Sequence, residues 1–95
     1  MDQDANILVV DDDVTICNLL DRYLTAVGYR VKTVTNGEEA LELIETQSFD
    51  LVLLDILMPE VTGRDVLIKV RQHHSPSELP IIMVTGISDS KAIVD

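Results

Sequence analysis

Leu51-Val52-Leu53-Leu54-Asp55-Ile56-Leu57-Met58-Pro59 is the stretch on which the fold turns. Four aliphatic residues that do not alternate with polar ones describe a strand covered on both faces, as in the middle of a parallel sheet. The run breaks on Asp55 and passes into a loop rather than a helix, so this carboxylate has nothing nearby to cap. Two other runs have the same character: Ile7-Leu8-Val9-Val10 ends in Asp11-Asp12-Asp13, and Ile81-Ile82-Met83-Val84 ends in Thr85-Gly86. A fourth, Arg30-Val31-Lys32-Thr33-Val34, alternates polar with apolar and carries two bases, which reads as an edge strand guarded by charge.

Helical patterns fill the gaps. Between Val14 and Val27, the residues Ile16, Leu19, Leu20, Tyr23, Leu24 and Val27 recur on one face, and Gly28 supplies the stop. Asn36 caps a second helix from Glu38 to about Thr46, with Ala40, Leu41 and Ile44 inward. A third comes after Thr62-Gly63 with Val66, Leu67 and Val70 inward, and frays near His73-His74-Ser75-Pro76. Ser88 is placed to cap a fourth, running through Lys91 to Asp95. Strand and helix thus alternate along the chain, which implies a parallel sheet with right-handed crossovers.

Composition narrows the function. Ninety-five residues form one small domain, with 46% apolar residues and only 3% aromatic ones. A net charge of -10 repels nucleic-acid backbones and anionic lipid, so neither is expected as a direct partner. A single cysteine, Cys17, reads as a small semi-buried residue and fits a reducing compartment; with no signal-like N-terminus, the expected location is cytoplasmic. The four glycines form neither a dinucleotide-binding fingerprint nor a phosphate-binding Walker loop. Adjacent His73 and His74 diverge at a helix end and read as a polar terminus rather than a metal site.

The chemistry lies at the carboxyl ends of the strands, where open α/β sheets bind ligands. Asp13 reads as the cap of the first helix. Asp11, Asp12 and Asp55 remain and converge on one crevice. Two such charges about 4 Å apart repel by about 4 kcal/mol at an effective dielectric near 20. The cluster must therefore take up a proton or hold a divalent cation, and oxygen-only ligands in an open cleft suit Mg²⁺.

These residues carry a resemblance. The runs ILVVDDD (7–13), LVLLDILMP (51–59) and PIIMVTG (80–86) resemble the receiver domain of bacterial two-component response regulators. The resemblance spans residues 1–95 and implies a flavodoxin-like, doubly wound α/β sheet of order 2-1-3-4-5, phosphorylated by a sensor histidine kinase or phosphotransfer protein. By that resemblance Asp55 is the phosphoacceptor, and Asp11, Asp12, Asp55 and the Leu57 carbonyl surround Mg²⁺, with Asp11 acting largely through water. Thr85 is the switch hydroxyl, and the Gly86 amide faces the phosphoryl group. The domain would assist its own phosphorylation and dephosphorylation without being an enzyme in the ordinary sense, and would pass the signal to an output domain or target.

One departure is large. The family continues into a fifth strand ending in Lys and then a fifth helix, whereas this sequence stops at Asp95. The expectation is a C-terminally incomplete receiver of strand order 2-1-3-4, in which Lys91 does not replace the missing Lys. The fourth strand would then be an unpaired apolar edge, a template for homodimer formation. Two other readings are an inactive receiver that serves only as an interaction module, and an aspartate-based phosphohydrolase of the haloacid-dehalogenase type. The latter needs a second acid where Leu57 stands.

Overall fold

A computed structural model describes residues 5–84 together with the backbone of residues 92–94. The strands are β1 (Asn6–Val10), β2 (Arg30–Val34), β3 (Leu51–Asp55), β4 (Ile81–Val84) and β5 (Ala92–Val94). The helices are α1 (Val14–Val27), α2 (Gly37–Thr46) and α3 (Gly63–Arg71). The sheet order is β2-β1-β3-β4-β5, with β2, β1, β3 and β4 parallel and β5 antiparallel to β4. As expected, β2 is an edge and β1 and β3 are interior; β4, expected as an open edge, is interior as well because β5 pairs with it.

Side-chain parity divides the core. Leu8, Val10, Val52, Leu54, Ile81 and Met83 pack with Ala40 and Ile44 of α2 and Val66 and Val70 of α3. On the other face Ile7, Val9 and Cys17 are buried, with Leu20, Leu24, Leu51 and Leu53 against them. Helix α1 thus covers one face and α2 and α3 the other, the layering of a doubly wound sheet.

The helix ends obey local chemistry. Asp13 caps α1, its carboxylate accepting from the amides of Thr15 and Ile16. Gly28 ends the helix in the left-handed region at φ 119°, where a Cβ is unfavourable. The Asn36 side chain accepts from Glu39 N–H to start α2. Thr62 starts α3 through a reciprocal capping box with Asp65, a pairing that sequence reasoning did not pick out.

Two expectations are corrected. The apolar arc read on α1 is too wide: Leu19, Tyr23 and Val27 are 55%, 67% and 52% exposed, while Cys17 is only 2% exposed. A helix lying on a sheet buries a narrow stripe, and here Cys17, Leu20 and Leu24 occupy it while the Leu19-Tyr23 row turns outward. The second correction concerns the C-terminal segment. Residues Ala92–Val94 are a strand, not part of a helix, and pair Val84↔Ala92, Met83↔Ile93 and Ile82↔Val94. Ser88, Lys91 and Asp95 lie outside the described residues. The open edge of β4 offers unpaired amides and carbonyls, and a short Ala-Ile-Val segment satisfies them better as a strand than as an isolated helical turn. The β4 edge expected to recruit a second copy is therefore occupied by the chain itself.

Glu60, in the loop joining β3 to α3, adopts φ 63°. A side chain there costs roughly 1–2 kcal/mol. Glu60→Gly is expected to raise stability by about 0.5 kcal/mol, part of the relief being offset by a more flexible unfolded chain. Glu60→Val should lower it by about 1 kcal/mol or more, because a β-branched residue is worst in this region. Urea titration of the two variants checks the opposite signs.

Candidate functional site

The acids reach one place by arithmetic. Strand side chains alternate faces, so Asp11 continues the row Ile7-Val9 and Asp55 continues Leu51-Leu53. The β1–β3 register pairs Val9 with Leu53 and Val10 with Leu54. One residue further on, Asp11 and Asp55 stand opposite each other on the α1 side of the sheet. Carboxylate oxygens of Asp11, Asp12 and Asp55 lie within 4.8 Å of one another. Asp55 is only 8% exposed, the buried charged residue of the described core, whereas Asp12 is exposed.

Hydrogen bonds fix the surrounding backbone. Asp55 Oδ1 accepts from Leu57 N–H at 3.1 Å, so the loop turns back over the carboxylate. The Leu57 side chain is 71% exposed at the rim. Asp11 Oδ1 accepts from Asp13 N–H at 2.9 Å, and Asp11 N–H donates to the Val34 carbonyl at 3.2 Å. Gly63 N–H donates to the Ile56 carbonyl at 3.1 Å, which draws the start of α3 onto the segment just past Asp55. This close approach and the capping box that sets it are contributions to the site that sequence reasoning missed.

The electrostatics are those of a partly buried acidic cluster. Burial is the main cause that pushes the Asp55 carboxyl from 3.8 up to about 6. The Leu57 N–H opposes that rise, and the charges of Asp11 and Asp12 add to it. Asp11 is also raised, chiefly by burial, with its neighbours Asp12 and Asp13 adding to the effect. Cys17, beneath the loop, has its thiol pushed up, first by burial and then by the Asp11 charge, so it keeps its proton.

The residues fit a hard cation. Oxygens bound directly to one Mg²⁺ at about 2.1 Å are roughly 3–4 Å apart, so a group spanning 4.8 Å accommodates a fully oxygen-ligated ion with some contacts through water. Of the expected site residues, Asp11, Asp12 and Asp55 are brought together, Leu57 meets Asp55 through its amide, and Thr85 and Gly86 lie outside the described residues. A cleft of about 130 Å³ beside Asp11 and Asp55 is lined by Val9, Ile16, Leu20 and Leu53. A larger cleft of about 390 Å³, between the end of α2 and the approach to β4, contains none of these acids. Among the described residues no helix is long and apolar enough to cross a membrane.

Comparison with known proteins agrees with this geometry. The chain is 43% identical over 88% of its length to the "Probable transcriptional regulator ycf27" of Cyanidium caldarium, of which the match covers 32%. It spans about a third of the length of such curated relatives. Among solved structures it resembles the response regulator TrrA of Thermotoga maritima in complex with Mg²⁺-BeF, at 40% identity and TM-score 0.78. That match covers 83% of this chain and 67% of the other. A second match, 40% identical with TM-score 0.79 and covering 86% and 69%, is to the complex of the histidine kinase ThkA with TrrA. The model of the response regulator receiver domain matches residues 7–95. With the sheet order, the acidic strand ends and this match in agreement, the chain belongs to the response regulator receiver family.

Proposed function

We propose that this receiver accepts a phosphoryl group from a histidine kinase onto Asp55, in a reaction that requires Mg²⁺, and so acts as a switch in two-component signalling. The observation that carries the reading is a buried carboxylate at a strand end, facing two further acids on the neighbouring loop. An Asp55 oxygen attacks phosphorus, a P–O bond forms, and the P–N bond to the donor histidine breaks, leaving the electron pair on the imidazole. The Leu57 N–H at Asp55 Oδ1 leaves the other carboxylate oxygen as the nucleophile. Asp11, Asp12, Asp55 and the Leu57 carbonyl would hold Mg²⁺, which when bound neutralises charge on the transferring phosphoryl group. Thr85 and Gly86 complete the reading as the switch hydroxyl and a phosphoryl-facing amide. A kinase partner is supported by the similarity to a regulator seen bound to its kinase, and an output domain by relatives that are much longer than this chain.

The test is incubation with a small acyl phosphate and Mg²⁺, read by intact-mass and peptide mass spectrometry. One base-labile phosphoryl group on Asp55, absent when the metal is chelated, is the expected result. Uptake of Mg²⁺ without any adduct would instead support a binding-only module.

The metal half of the proposal makes a separate prediction. Asp12→Asn is expected to weaken Mg²⁺ binding about ten-fold or more by removing a ligand charge. Asp13→Asn should leave affinity near that of the unaltered protein, since Asp13 is engaged with the amides of Thr15 and Ile16 and Asn is itself a good cap. Calorimetric titration of the two variants distinguishes them, and equal affinities would reverse the division of labour within the triplet.

A further inference from the structure

The β1–α1 loop presents two of the acids, yet it is anchored from below by a residue outside the acidic set. Cys17 is 2% exposed, on the first turns of α1 and directly under the loop. Its Sγ lies 3.2 Å from the Asp11 carbonyl oxygen and 3.8 Å from the Val34 carbonyl oxygen. Asp11 N–H also donates to the Val34 carbonyl. Asp11 is therefore gripped at both of its backbone polar groups: its amide by the end of β2, its carbonyl by the thiol. The next residue is Asp12, and the one after it, Asp13, donates its amide to Asp11 Oδ1.

We infer that Cys17 is a positioning residue, whose thiol donates to the Asp11 carbonyl and holds the Asp11-Asp12 segment in the orientation that receives the metal ion. The inference rests on the Mg²⁺ reading of the acidic cluster. Packing alone does not account for the arrangement, since any small apolar residue fills the space but offers no donor to a carbonyl at the rim of a charged pocket. The thiol is suited to the task because it is small enough to lie under the helix start and apolar enough to be buried there.

Two substitutions separate donor from volume. Cys17→Val removes the donor but adds one heavy atom, Cys17→Ala removes it without adding bulk, and Cys17→Ser keeps a donor. In the metal-free protein, Cys17→Val should shift the Asp12 amide nitrogen resonance, which reports on the preceding carbonyl, and should speed hydrogen exchange at Asp13 N–H. Its Mg²⁺ affinity should fall about five-fold, the worth of one neutral hydrogen bond, while Cys17→Ser stays within about two-fold of the unaltered protein on the same scale. Cys17→Ala carries the same test if the valine variant does not fold. Val and Ser variants that match each other, whether both unaffected or both impaired, would overturn the inference. Failure of the unaltered protein to take up Mg²⁺ would defeat the metal reading instead, and the metal-free amide measurements would still decide what the thiol does.

Discussion

Asp55→Asn is expected to abolish the phosphoryl adduct and, in the same protein, to raise stability at pH 7 by about 2 kcal/mol in the absence of metal. The first effect arises because an amide oxygen is a poor nucleophile for phosphorus. The second comes from burial. The Asp55 carboxyl is pushed from 3.8 up to about 6, so the fold prefers its protonated form. The group's contribution to stability is complete below pH 3.8 and is lost as pH rises through about 6. A gap of that size corresponds to about 3 kcal/mol, and solvent reaching the exposed Asp12 side of the pocket reduces it to about 2. Asp11 is raised as well and pulls in the same direction. The unaltered domain should therefore lose stability between about pH 4 and 6.5, and Asp55→Asn should flatten most of that slope. Denaturant titrations at several pH values read the difference. A parallel pH dependence in the two proteins would sink the idea that Asp55 is held as a buried, uncompensated charge.

The same site explains why a stability cost is retained in the core. Neutralising Asp55 with a proton and neutralising it with a cation are alternatives, so Mg²⁺ should restore at pH 7 what deprotonation removes. The gain from ligand binding grows logarithmically with concentration above the dissociation constant. It should be large in the unaltered protein and much smaller in Asp55→Asn, which has lost a ligand charge.

How far the sequence was legible depends on the range of the interaction. Asp11, Asp12 and Asp55 were legible because each lies at the end of a non-alternating aliphatic run, and strand parity brings Asp11 and Asp55 to one side. Asp13 was legible as a cap because its partners, Thr15 and Ile16, are two and three residues away. The facing of α1 was less so: six apolar residues fit a helical stripe, and only the sheet decides which of them it covers. Cys17 was read as semi-buried because its partners, the carbonyls of Asp11 and Val34, are brought over it by the tertiary fold. The strand at Ala92–Val94 was the clearest miss, because it depends on an open edge of β4 that local propensity does not register.

Gly63→Ala is expected to cost about 3 kcal/mol and to damage the site, although Gly63 bears no functional group. A Cβ on Gly63 would overlap the Asp55 carbonyl oxygen and lie 2.8 Å from Ile56 Cα and 3.0 Å from Asp55 carbonyl carbon. These obstacles are all backbone, in the segment that ends β3, so no rotamer change relieves them. Either α3 backs away, breaking the Gly63 N–H bond to the Ile56 carbonyl, or the Asp55 peptide moves and carries its carboxylate with it. Displacement of about 1 Å in a reacting group can cost on the order of 100-fold in rate, so acyl-phosphate labelling should fall at least ten-fold even in the fraction that folds. Gly37→Ala is the control. Its Cβ would meet Val61 Cγ1 at 2.7 Å, Val66 Cγ2 at 2.9 Å and the Val61 carbonyl at 2.9 Å, crowding that lies away from the Asp55 backbone. Helix propensity favours alanine over glycine by about 1 kcal/mol, which offsets part of that crowding at the first residue of α2. Gly37→Ala should therefore also destabilise, by about 1–3 kcal/mol, but leave labelling of the folded protein unchanged. Equal losses of labelling in the two variants would mean that crowding in general, rather than the contact of α3 with the Asp55 backbone, governs the position of the Asp55 carboxylate.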